Sequence, residues 1–164
     1  MRVNFDSNLC MQTPHPSQAV GSTSSLLSCY PALHNTDRQL SVAYQATVPY
    51  LLEQNDPAST WTLCTGASGD NGGLPAASIS QGALYSLANV ARVDNQETNV
   101  RFNEVYLGMF VVADVELAKQ WGALNAAEFA VTYEQILRQG EVKGRRVVVN
   151  RREDLAELKF GLTG

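Results

Sequence analysis

Gln81 to Ala91, QGALYSLANVA, and Asn99 to Leu107, NVRFNEVYL, are the two stretches on which the reading of this chain turns. In the first, Ala83, Leu84, Leu87, Ala88 and Ala91 recur at helical spacing and form a stripe of mostly small side chains, which lets a packed neighbour approach closely. In the second, Phe102, Glu104 and Tyr106 fall on one side of an extended segment, the period of a strand. Working outward, Thr60 to Thr65 (TWTLCT) has the β-branched and aromatic content of a short buried strand, set off by the turn Asn55-Asp56-Pro57. Before it, Leu40, Ala43, Tyr44, Thr47, Val48 and Leu51 predict a helix from Asp37 to about Glu53, with Pro49 bending or loosening its last turns. After it, the pattern predicts a helix over Ala126 to Arg138, a strand at Arg146 to Val149 (RVVV) and a charged tail. Strands alternating with helices imply parallel crossovers, hence an α/β fold.

Composition sets the bounds. At 164 residues, 45% of them apolar and 17% charged, the chain suits one globular domain, and it holds no apolar run long enough to span a membrane. Its net charge of -4 offers no broad attraction for nucleic acid or anionic lipid. MRVNFDSNLC shows no apolar core of a secretory leader, so the expected location is cytoplasmic. Residues 1–30 are expected to be irregular, apart from a short edge strand in RVNFD, with the domain occupying 31–164. Cys10, Cys29 and Cys64 lack CxxC spacing and are read as reduced, and with His15 and His34 they match no metal-ligand pattern.

QGALYSLANVA followed by TNVRFNEVYLG resembles the helix and strand of the short-chain dehydrogenase/reductase family usually written K-A-A-L and I-R-V-N-x-V-x-P-G, with Arg101, Asn103, Val105 and Gly108 in register. KGRRVVVN is similar to the family's last strand, G-x-x-x-x-V-D-G-G, with Asn150 at the aspartate position and Arg151 and Arg152 replacing glycines. The resemblance runs from Asp37 to Asn150. It implies a reduced, Rossmann-like three-layer sandwich with a short, mostly parallel sheet, corresponding to the C-terminal strands and helices of the family. The departures matter as much. Aligning Gln81 with the family's lysine puts Ala77 where the tyrosine of Y-x-x-x-K belongs, and Thr65 falls near the family's serine. An alanine methyl transfers no proton. No strand, glycine turn and helix start of the dinucleotide-binding kind precedes residue 37. The resemblance therefore implies no nucleotide cofactor.

In an open parallel sheet the pocket lies outside the carboxyl ends of the strands, here near Thr65 to Asp70 and Leu107 to Phe110. Thr65, Asp70, Gln81 and Glu104 are the candidate catalytic residues, and Ser68, Tyr106, Leu107, Gly108 and Met109 the candidate substrate contacts. Glu104 reads either as a proton-transfer group or as an internal ion pair with Arg101 or Arg92. Asp70 reads as a proton relay with Thr65 and Ser68, or as a solvated turn residue. Gln81 would orient a carbonyl or hydroxyl, or cap its helix. Tyr85 reads as packing, GASGDNGG as an active-site or surface loop or an anion cradle, and no G-x-S-x-G elbow is present. The resulting expectation is a cofactor-independent, non-redox enzyme acting on a small organic molecule by isomerisation, cyclisation or elimination, as a homodimer. The alternatives are a noncatalytic homo-oligomeric or partner-completing scaffold and a residual NAD(P)-dependent oxidoreductase.

Overall fold

The structure, a computed structural model, describes residues 30–72 and 74–161, so the expected strand in RVNFD and the candidate side chains of Cys10, His15 and Cys29 lie outside the described residues. Helix α1 (Tyr30–Gln54) begins earlier than the periodicity predicts and continues through Pro49 without a break. It leads into β1 (Thr60–Gly66). The glycine-rich segment, expected to be a loop, contains the single turn α2 (Ser68–Asn71), closed by Gly72 at a left-handed φ of 65°. Helix α3 (Pro75–Asp94) starts well ahead of Gln81, because Pro75 occupies the first turn, where its missing N–H is not needed. Gln81 therefore stands inside the helix. Capping by Gln81 is corrected accordingly.

Strand β2 (Arg101–Leu107) follows, then a subsidiary element that the sequence reading left unassigned: β3 (Val111–Val112), α4 (Val115–Trp121) and β4 (Leu124–Asn125), with β3 and β4 paired in parallel. Helix α5 (Ala126–Arg138) has the expected bounds, fixed by a capping box in which Asn125 and Glu128 bond each other's backbone N–H. Strand β5 (Arg146–Val149) is also as expected, but the charged tail turns through a 3-10 segment (Arg152–Leu155) and returns as β6 (Phe160–Gly161).

The main sheet has the order β1-β2-β5-β6, parallel except for β6. Register sorts the side chains. Leu63 lies opposite Glu104 and Thr65 opposite Tyr106, so Trp61, Leu63, Thr65, Phe102, Glu104 and Tyr106 share one face. There Leu63 and Phe102 pack beneath Leu84, Ala88 and Ala91 of α3, with Leu40 and Tyr44 of α1 alongside. Trp61 stacks on Phe102 at 5.7 Å between ring centroids and Tyr44 meets Trp61 edge-on at 5.3 Å. Each such large side chain, once buried, contributes about 1.5–3 kcal/mol. The other face packs Val105, Val147 and Val149 against Ile136, Phe129 and Tyr133 of α5. The result is a mixed, mostly parallel sheet with helices on both faces, broadly Rossmann-like. No helix among the described residues is long and apolar enough to cross a membrane.

Candidate functional site

Alternation along β2 decides which charges meet. Glu104 points to the α3 side, and parallel register puts Arg146 of β5 directly beside it. The Arg146 Nε donates to Glu104 Oε2 at 2.7 Å, while the Thr65 hydroxyl donates to Glu104 Oε1 at 2.7 Å. Both carboxylate oxygens of this buried residue are therefore engaged. The partner is neither Arg101 nor Arg92, which corrects the pairing read from the sequence. Arg101 is an odd number of residues from Glu104 and so faces α5, where it donates to the Ile136 and Gln139 carbonyls at 3.1 Å each. Asn103 on the same face donates to the Val142 carbonyl at 3.0 Å and accepts from the Arg145 amide at 3.1 Å. Two residues of the family-like strand motif thus hold the connection from α5 into β5.

Around the Glu104–Arg146 pair two tyrosines close in. The Arg146 guanidinium carbon lies 5.2 Å from the Tyr85 ring centroid and 5.8 Å from that of Tyr106. Both are cation–π contacts. The Tyr85 hydroxyl donates to the Gly66 carbonyl at 2.6 Å, and the Gly66 amide donates to Gln81 Oε1 at 2.7 Å. One helical turn of α3, from Gln81 to Tyr85, therefore grips both backbone groups at the end of β1. Gly69 permits this: a Cβ there would stand 2.6 Å from the Tyr85 ring. The Tyr106 hydroxyl donates to Asp70 Oδ2 at 2.7 Å. Burial first, then the nearby Asp70, raises the pKa of both tyrosines, so both remain protonated donors at neutral pH.

Asp70, Tyr106 and Arg146 line an open depression of about 180 Å³ together with Val148 and Gly161. It is smaller than the several hundred Å³ usual for a drug-sized ligand. Thr65 and Glu104 sit beneath it as support, and Gln81 fixes its strand end. Ser68 opens the turn that carries Asp70. Leu107 and Met109 pack into the core on the α5 side, away from the depression. Gly108 donates to the Val149 carbonyl at 2.8 Å and has Asn150 so close that no side chain fits there. Tyr85, Arg146, Val148 and Gly161 are what the sequence reading missed. Tyr85 had a visible signal, since it stands one turn from Gln81 on the same helix face. Arg146 and Val148 had none, because strand register is not written in a single chain.

Behind the site, Asp154 ties down the exit of β5. Its Oδ2 accepts from the Asn150 and Arg151 amides at 2.9 and 3.1 Å, and Lys159 donates to Oδ1 at 2.6 Å. The Lys159 ammonium, with the two amides, lowers its pKa to about 2 against the burial that opposes it.

A mostly parallel sheet with helices on both faces and a polar cluster at its carboxyl ends defines a Rossmann-like α/β protein. The chain is 44% identical over 122 residues, 72% of its length, to the short-chain dehydrogenase/reductase iacG of Pestalotiopsis fici. That likeness supports kinship with the short-chain dehydrogenase/reductase superfamily. The chain spans about half of that relative, 49% of its length. No family model and no solved structure matches the chain.

Proposed function

We propose that this chain is derived from short-chain dehydrogenases/reductases and acts on a small organic molecule at the carboxyl ends of its strands, moving a proton rather than a hydride. The observation that carries this reading is the convergence of the Asp70 carboxylate, the Tyr106 hydroxyl and the Arg146 guanidinium on one depression. Ala77 and Gln81 stand where the resemblance expects the redox tyrosine and lysine. Asp70 takes a proton from the carbon beside a carbonyl, and Tyr106 holds that carboxylate in place. The Arg146 guanidinium has only its Nε engaged in hydrogen bonding among the described residues, and its remaining N–H groups face the oxyanion that develops. Returning the proton to a different carbon completes an isomerisation. Loss of a neighbouring leaving group with its electron pair instead completes an elimination, and attack of the enolate carbon on a second carbonyl of the same molecule, whose oxygen takes up the proton from Asp70 as its π bond opens, completes a cyclisation. Thr65 and Glu104 position Arg146, and Gln81 positions the end of β1.

The test is solvent deuterium incorporation into a panel of enolisable ketones and β-hydroxycarbonyl compounds. At least one member is expected to exchange faster with the protein than without it, and Asp70→Asn is expected to reduce that exchange about 100-fold or more. Exchange that is unchanged in Asp70→Asn, or no acceleration anywhere in the panel, contradicts the reading.

A second reading, a noncatalytic homo-oligomeric or partner-completing scaffold, is favoured by a different observation. Val42 and Tyr50 on α1 and Ile79, Val90 and Val93 on α3 are all more than half exposed, and on α3 the three recur at spacings of 11 and 3 residues that put them on one helix face, as association would use. The sheet also ends at β1, with no further strand among the described residues. A homodimer is compatible with either reading. Sedimentation at micromolar concentration is expected to give a dimer, and a monomer there removes the scaffold reading in its homo-oligomeric form.

A further inference from the structure

At the opposite end of the sheet a second concavity, of about 260 Å³, opens between the end of α3 and the loop entering β5. Arg92, Asn95 and Gln96 come from the helix side, Lys143 and Gly144 from the loop, and Phe102 forms the floor. The loop is held in by the Gly144 amide, which donates to the Phe102 carbonyl at 2.7 Å. Gly144 is favoured by its φ of +66°, and the Arg92 stem passes over it, with Cγ 3.4 Å from where a Cβ would stand.

The charges here are not matched. Neither Arg92 nor Lys143 forms an ion pair among the described residues, and no carboxylate lines the concavity. Lys143 donates once, to the Thr98 carbonyl at 2.5 Å, which leaves two of its N–H groups. The Arg92 Nε is buried with no hydrogen-bond partner among the described residues. That nitrogen is shielded, as are the Arg101 Nε and the Thr132 hydroxyl, so the donors open to a ligand are the terminal N–H groups of the Arg92 guanidinium, which no hydrogen bond among the described residues uses. Asn95 is not the recipient of a ligand, because its Nδ2 already serves the Tyr44 hydroxyl at 2.7 Å and the Ala91 carbonyl at 2.8 Å. Gln96 stands exposed at the rim. The carboxyl end of α3 contributes about half a negative charge, which two full cations exceed. Asp94 and Glu97 are exposed nearby but do not line the space.

We infer that the Arg92–Lys143 concavity is a binding site for a small, multiply charged oxyanion of the phosphate class. The guanidinium supplies a fork of donors and the ammonium a compact charge, the complementary pair that such anions require. The volume holds inorganic phosphate with room for a small organic remainder. This site is independent of the proton chemistry at the far end of the strands, and each stands if the other fails.

The experiment follows the Arg92 Nε–H resonance and the Gly144 amide by NMR while inorganic phosphate replaces chloride at constant ionic strength. A saturating shift at millimolar phosphate or below is expected. Calorimetry should show affinity falling at least tenfold in Arg92→Gln and in Lys143→Gln, with Arg92→Lys retaining part of it. A drift that never saturates, or affinity unchanged in both glutamine variants, overturns the inference. Citrate is the comparison ligand: binding at least tenfold tighter than phosphate would assign the site to polycarboxylates and overturn the phosphate class.

Discussion

The two ends of the sheet contain the same kinds of residue in opposite states. At the carboxyl ends Glu104 is engaged by Thr65 and Arg146, and Asp70 by Tyr106. At the amino ends Arg92 and Lys143 line one concavity that no acid among the described residues lines. The difference teaches that a count of charged residues says little about function. One end is a mutually oriented network that can hold geometry for chemistry, and the other is an uncompensated charge available to a ligand.

The comparison breaks first at Arg146. Arg146→Met leaves the Glu104 carboxylate buried without its counter-charge, and should destabilise by about 3–5 kcal/mol in urea unfolding. Adding Glu104→Gln should recover part of that loss; no recovery would mean that Arg146 stabilises through its contacts with the tyrosine rings instead. Asp154→Asn comes next, at about 1–3 kcal/mol near neutral pH, since it weakens the grip on two backbone amides and Lys159. Its pH dependence has a definite sign. The folded-state pKa, about 2, lies below the ordinary 3.8, so the contribution is full above pH 3.8 and is lost as pH falls through about 2. The gap between wild type and variant should therefore narrow on acidification over that window, and a gap that stays constant would refute the assignment. The smallest effect is expected at Arg92. Arg92→Gln should change stability by no more than about 0.5 kcal/mol, because no ion pair or hydrogen bond of its guanidinium among the described residues is lost. A loss above 2 kcal/mol would show that Arg92 belongs to a matched network after all.

The helices and parallel strands were legible because their signals are local. The stripe from Ala83 to Ala91 and the RVVV run each declare an element within a few residues. The capping box at Asn125 and Glu128 fixes the start of α5 just as locally. The start of α3 was missed because Pro75 reads as a breaker from sequence while acting as a first-turn residue in the helix. The return of the chain as β6 was missed because Phe160 and Gly161 form a strand only by pairing with β5. At the site, the sequence named Thr65, Asp70, Glu104 and Tyr106, which the fold brings together. It named the wrong partner for Glu104 because Arg92 and Arg101 are near in sequence, whereas Arg146 is near only through register. Parity along the strand already argued against Arg101.

The proposal that this chain moves a proton rather than a hydride is tested most directly by titration with reduced nicotinamide nucleotides. Ala77 has no hydroxyl, and the Gln81 carbonyl oxygen accepts from the Gly66 amide, while its uncharged amide supplies no cation for a ribose. Each such lost contact costs about 1–3 kcal/mol, enough together to move a micromolar site beyond millimolar. Isothermal calorimetry with NADH and with NADPH is expected to show no saturable binding up to about 1 mM, a limit of weak association. A dissociation constant below about 100 μM for either nucleotide would contradict the account and restore the oxidoreductase reading.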